Sequence, residues 1–161
     1  MTAGIGSAAT RKVMERLAGG PLEAGLTVRA LTQAGYEGSP MRAQNGAADI
    51  LERSGTLKYP LVNVYCEKVV NNLREKFRSF SGSVEIAIEV RYSQDRLEGM
   101  EEALEQQTDA VTQALSDSRG DWGDGMFYSG GYEVSYGRTT RGGKNFTQVA
   151  KVTFEIGVSR N

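Results

Sequence analysis

From about Tyr59 onward the apolar positions recur with period two, change to spacings of three and four, and return to period two before the C-terminus. After Pro60, Leu61-Val62-Asn63-Val64-Tyr65-Cys66 is rich in β-branched and aromatic residues and reads as a strand. Ser83 to Arg91 alternates cleanly: Val84, Ile86, Ile88 and Val90 face one way, and Ser83, Glu85, Ala87, Glu89 and Arg91 the other. That pattern predicts a half-buried antiparallel strand. The stretch between, Val69 to Phe80, fits either a strand running into a charged turn or a short helix. Ser93 or Asp95 then caps a predicted long helix, with Leu97, Met100, Leu104, Thr108, Val111 and Leu115 on one stripe and glutamates opposite. Arg119 to Gly131 reads as a glycine-rich loop containing Trp122, Met126, Phe127 and Tyr128, a candidate contact loop.

Tyr132, Val134 and Tyr136 begin a further strand, and Gly137 to Lys144 a turn. In the last strand Phe146, Gln148, Ala150, Val152, Phe154, Ile156 and Val158 share one side. This strand exceeds the usual ~5–6 residues, so part of the hairpin is expected to project beyond the sheet. A sheet with one apolar face and a helix with one apolar stripe bury those surfaces on each other.

The N-terminal third has helical spacing broken by glycines. Thr10 is the expected N-cap of a short helix through Leu17, with Val13, Met14 and Leu17 apolar. A second helix or loose turn is expected over Leu22 to Ala34, a break over Gly35 to Pro40, and a third helix over Met41 to Arg53 burying Ala47, Ile50 and Leu51. The predicted class is α+β: a mostly antiparallel four-stranded sheet packed against one long helix, with short N-terminal helices. Residues 1–58 form a helical, glycine-interrupted region and 59–161 a β-β-α-β-β core, all within a single structural domain, as 161 residues allow.

Composition changes this picture mainly through charge. The net charge of −1 exerts no overall pull toward nucleic acid or membrane, but its distribution is uneven. Asp95 to Asp117 carries seven acidic residues against the single Arg96, whereas Tyr132 to Asn161 carries five basic residues against Glu133 and Glu155. An acidic element and a basic one on the same chain suit contacts between copies, acid to base. The bland alternative is two solvated faces.

Candidate chemistry is sparse. There is no histidine, which excludes a Ser–His–Asp or Cys–His arrangement and a histidine-ligated metal. Cys66 is the only cysteine, so it reads as a small buried hydrophobe in a reducing compartment. No window approaches the ~20 apolar residues of a membrane span. Gly142-Gly143-Lys144 lacks the following Ser or Thr of a phosphate loop and leads into a strand; Asp121-Trp122-Gly123-Asp124-Gly125 lacks the spacing of a calcium loop; Arg119-Gly120-Asp121 is an adhesion tripeptide by spelling alone. All three read as turns. No catalytic, metal-binding or cofactor-binding residue is expected. The basic turn of Arg138, Thr139, Thr140, Arg141 and Lys144, beside Tyr132 and Tyr136, fits a solvated tip, a docking contact, or stacking on nucleic acid.

In sequence order, the strand VNVYCEKVV, the strand SVEIAIEVRYS passing into the helix RLEGMEEALEQQTDAVTQAL, and the hairpin GGYEVSYG…NFTQVAKVTFEIGV resemble the tail terminator proteins of long-tailed bacteriophages. The likeness covers the chain from about Tyr59; the N-terminal third is longer and more glycine-broken than in a minimal member. The resemblance implies a homohexameric ring on the last ring of tail tube protein. Such a ring halts tube polymerisation and presents a surface to neck or head-completion proteins and, in a contractile tail, to the sheath. DNA passes through the channel without sequence recognition. The implied place is the tail–neck junction of the virion, with assembly in the host cytoplasm. Glu98, Glu101, Glu102 and Glu105 are then expected at a subunit interface or on the channel wall, and Arg138 to Lys144 as a partner-docking hairpin. Alternatives are a head–tail connector or other tail-completion protein, and a small nucleic-acid-binding module.

Overall fold

The computed structural model describes residues 4–18, 40–42 and 60–161. The expectations for Leu22 to Ala34, and for the helix beyond Arg42, lie outside the described residues.

Helix α1 (Ile5–Ala18) places Ala9, Val13 and Leu17 four residues apart on one stripe, and all three are buried. It begins at Ile5, so Thr10 is not its cap. Thr10 lies inside the helix, and its buried hydroxyl donates to the Gly6 carbonyl at 2.8 Å, one turn back.

Among the described residues one eight-stranded sheet follows, antiparallel except at the β1 edge, whereas four strands were expected in all. Strand β1 (Pro40–Arg42) pairs parallel with β2 (Leu61–Asn71), where a helix starting at Met41 was expected. β2 pairs antiparallel with β3 (Phe80–Gln94), which settles the ambiguous stretch as strand up to Asn71 followed by a loop. β3 then pairs with β8 (Asn145–Arg160) over its whole length. The free edge of so long a strand would leave a row of unpaired backbone groups. Three short strands cover it in succession: β5 (Met126–Tyr128), β6 (Glu133–Tyr136) and β7 (Thr140–Gly142), with β4 (Gly120–Gly123) outside β5. The last strand therefore does not project alone; Phe146 still has Gln94 across from it on β3 and Arg141 on β7.

The face that β3 and β8 share carries the core: Val84, Ile86, Ile88 and Val90 opposite Ile156, Phe154, Val152 and Ala150. The predicted stripe on β8 holds from Gln148 to Val158, with Phe146 half-buried. Against it pack α1 and a second helix, α2 (Met100–Ser116), so two helices share the role expected of one long helix. α2 buries Met100, Leu104, Thr108, Val111 and Leu115 as the spacing predicted. It starts later than expected, because Tyr92 to Gln94 are still paired with β8 and the chain must then turn. The Gln94 amide holds that turn by donating to the Glu98 carbonyl at 2.8 Å, and Gly99 enters the helix at φ 76. Leu97 consequently lies before the helix and is exposed. The opposite sheet face is also less wet than alternation implied, since Asn63, Ala87 and Arg91 are buried there.

Gln107 is fully buried on α2, and neither amide atom has a hydrogen-bond partner among the described residues. An unsatisfied buried polar group costs about 1–3 kcal/mol. Gln107→Met keeps the volume and removes that cost, so a gain of about 1 kcal/mol in stability is expected, read as a higher urea midpoint.

Two non-glycine residues in the loop between β2 and β3, Leu73 (φ 49) and Phe77 (φ 64), adopt the left-handed region. Each such residue costs roughly 1–2 kcal/mol. The loop is nonetheless tied down. The Asn71 side chain accepts from Ser81 N at 3.0 Å and donates to Ser79 O at 3.1 Å. Ser159 on β8 donates to Glu75 at 2.8 Å, and Arg78 donates to Asn161 at 3.0 Å.

Candidate functional site

The predicted acidic set gathers at one end of the molecule. Glu101 and Glu102 occupy the first turn of α2, where carboxylates complement the helix dipole; Glu98 sits in the turn before it and Glu105 one turn on. All four are exposed, and none makes an ion pair among the described residues. Glu101 and Glu102 rim an open depression of about 620 Å³ whose other walls are Leu97, Gly99, Met100 and Thr139. Met100 is buried, so the floor is apolar.

Thr139 belongs to the predicted basic hairpin, which therefore lies beside the acidic helix in the same protomer. Tyr136 agrees with this placement, its hydroxyl lying near Thr108, Asp109 and Glu105 of α2. The acidic helix and the basic hairpin therefore sit side by side at one end of the protomer. Within the hairpin Arg138, Thr140, Arg141 and Lys144 are exposed and Thr139 half-buried. Arg141 lies over the Phe146 ring at 5.5 Å, and Gly143 (φ 64) takes the first position of the two-residue turn, as a type II′ turn requires.

The candidate contact loop is mostly core. Trp122, Met126 and Tyr128 are buried, and only Phe127 faces solvent. The segment is the β4–β5 hairpin, whose alternation turns those three inward. Trp122 donates to the Ser118 carbonyl at 2.6 Å beneath the Arg16 guanidinium, and Tyr128 packs on Phe154 with ring centroids 5.3 Å apart. The calcium-loop-like string is its turn, closed by Gly123 N donating to the Asp121 carboxylate at 2.8 Å. Gly142-Gly143-Lys144 is likewise a hairpin turn.

Sequence reasoning missed the β2–β3 loop. Phe77 is 98% exposed and Leu73 is 59% exposed, beside Arg74, Lys76 and Arg78. The signal was present in VVNNLREKFRSF as an aromatic among cations within a strand-like run. On the outer sheet face Glu85 lies directly across from Glu155, and both line an open depression of about 410 Å³ with Glu133. Like charges directly opposite are unfavourable, which suits a surface with a partner or counter-ions rather than a bare one. Among the described residues no group of three or more acidic or cysteine side chains is arranged to hold a metal, and no helix is long and apolar enough to cross a membrane. Cys66 is half-buried at the core's edge.

Burial pushes the Tyr65, Tyr128 and Tyr136 hydroxyls above 10.0, helped by Glu89 near Tyr65, by Tyr132 near Tyr128 and by Asp109 near Tyr136. A hydrogen bond with Glu67 raises Lys151 above 10.5, against its partial burial. Each folded-state pKa lies above its unfolded value, so the folded chain retains protons that the unfolded chain loses. That contribution is complete below the unfolded values and lost as pH rises through the folded ones. Melting temperature is expected to fall from about pH 10 upward as tyrosinate absorbance rises.

No protein-family model and no curated protein matches this chain.

Proposed function

We propose that this chain is a structural virion protein of the tail terminator kind, which closes into a ring, caps the tail tube and joins it to the neck. The observation that carries this reading is the exposed acidic end formed by Glu98, Glu101, Glu102 and Glu105, four carboxylates without an ion pair among the described residues. Uncompensated charge on a folded, well-cored protomer suits contact with other subunits more than isolation. The order of strands and helix that carries the resemblance supports it too. A ring on a tail tube has a face for the tube protein, a face for neck or head-completion proteins, and in a contractile tail a flank for the sheath. Carboxylates facing its channel repel phosphates and let DNA pass without recognition.

Two experiments test this. Purified protein is expected to bind the ends of polymerised tail tube protein and stop further elongation; binding to the portal or its adaptor instead identifies a head–tail connector. A variant carrying Glu98→Lys, Glu101→Lys, Glu102→Lys and Glu105→Lys is expected to lose the ring in native mass measurement. An unchanged ring in that variant removes these residues from the subunit interface and leaves them for the channel wall.

A further inference from the structure

We propose that the subunits join head to tail by inserting Phe77, at the tip of the β2–β3 loop of one copy, into the acid-rimmed depression of Leu97, Met100, Glu101, Glu102 and Thr139 on a second copy. The proposal rests on the self-assembly part of the reading above and names the contact that performs it.

The first observation is the shape of the tip. Phe77 is almost wholly exposed, held at φ 64, in a loop hydrogen-bonded through Glu75 to Ser159 on β8 and through Arg78 to Asn161 just beyond it. An aromatic side chain presented outward by an unfavourable backbone, with its flanks secured, is a pre-organised knob. Aromatic anchors of this kind carry much of the energy of protein interfaces.

The second is complementarity. The depression has an apolar floor at Met100, an exposed leucine wall at Leu97 and carboxylates on its rim. The knob carries the opposite sign: Arg74, Lys76 and Arg78 against Glu75, which Arg78 already engages at 3.3 Å. Lys76 makes no ion pair among the described residues. Arg138 lies near the depression, next to Thr139, but Glu98, Glu101, Glu102 and Glu105 outnumber it.

The third is geometry. Phe77 and Leu97 each lie three residues beyond an end of β3 (Phe80–Gln94), a 15-residue strand. At about 3.3 Å per residue, knob and depression are separated by roughly 45–50 Å. No protomer can fill its own depression. Two different patches at opposite ends form a heterologous interface, the type that closes into rings when the rotation per step permits. The basic hairpin is at the same end as the depression, whereas the Phe77 loop is at the other.

Sedimentation velocity on the full-length chain, with circular dichroism to verify folding, tests the contact by charge exchange. The wild type is expected to self-associate. Phe77→Ser, the pair Arg74→Glu with Lys76→Glu, and the pair Glu101→Lys with Glu102→Lys are each expected to weaken association by about 30-fold or more while remaining folded. Mixing the two charge-reversed variants in equal amounts is expected to restore it, because each knob then meets a depression of opposite sign. Variants that assemble like the wild type, or a mixture that fails to recover, overturn this contact and leave ring formation standing. A wild type that stays monomeric at high concentration overturns both.

Discussion

Tyr128→Ala is expected to destabilise the fold by about 3–5 kcal/mol, the range for removing a large buried aromatic side chain. Tyr128 is fully buried, with its ring 5.6 Å from Trp122 and 5.3 Å from Phe154 between centroids, and its hydroxyl donates to the Gly131 carbonyl at 3.2 Å. Truncation opens a cavity beside two aromatics, Trp122 and Phe154, and removes the hydrogen bond to Gly131. Typical domain stability is only about 5–15 kcal/mol, so the loss is a large fraction of the whole. Urea unfolding should move to a lower midpoint with little change of slope. The neighbouring Phe127→Ala, on the exposed side of the same strand, is expected to stay within about 0.5 kcal/mol of wild type. Equal, small effects at both positions would return the segment to a surface contact loop.

Gly82→Ala is expected to cost roughly 3 kcal/mol, the upper end for overpacking, and to impair self-association as well. A Cβ at Gly82 would lie 1.9 Å from the Val70 carbonyl oxygen and 2.9 Å from its carbon, both backbone atoms that no rotamer change can move. Gly82 is paired with Asn71 on β2 and Val158 on β8, so the strain must open the β2–β3 pairing just where the loop begins. Asn71 organises that loop, and the amides of Asn72 and Arg74 donate to Ser81 O across its base. Faster hydrogen exchange at those two amides, with a lower urea midpoint and weaker association, is the expected result. Gly131→Ala, where an added Cβ meets nothing within 4 Å, is the control and should change little.

What the sequence made legible depended on how strongly period and burial were coupled. The inner faces of β3 and β8 and the stripe of α2 were readable because every second, third or fourth residue there is apolar and buried. The helix start was misplaced because Leu97 continues the stripe in spacing while backbone pairing at Gln94 holds the chain as strand. The short strands β4, β5 and β7 have too few residues to display a period; β5 and β7 cover the edge of β8 and β4 pairs outside β5, which is a tertiary demand. For the same reason glycine-rich Arg119 to Gly131 read as a loop, and its aromatics as contacts rather than core. The acidic end was legible as composition, but its nearness to the basic hairpin was not, since that depends on the tertiary placement of Thr139 beside the start of α2. Phe77 was visible as a residue and invisible as a knob, because its exposure follows from a backbone conformation that the sequence does not favour.

Electron microscopy of the purified full-length protein tests self-assembly most directly. Closed rings of six-fold symmetry with a central hole are predicted. A strict monomer at high concentration, or open filaments that never close, would contradict a ring-forming tail terminator.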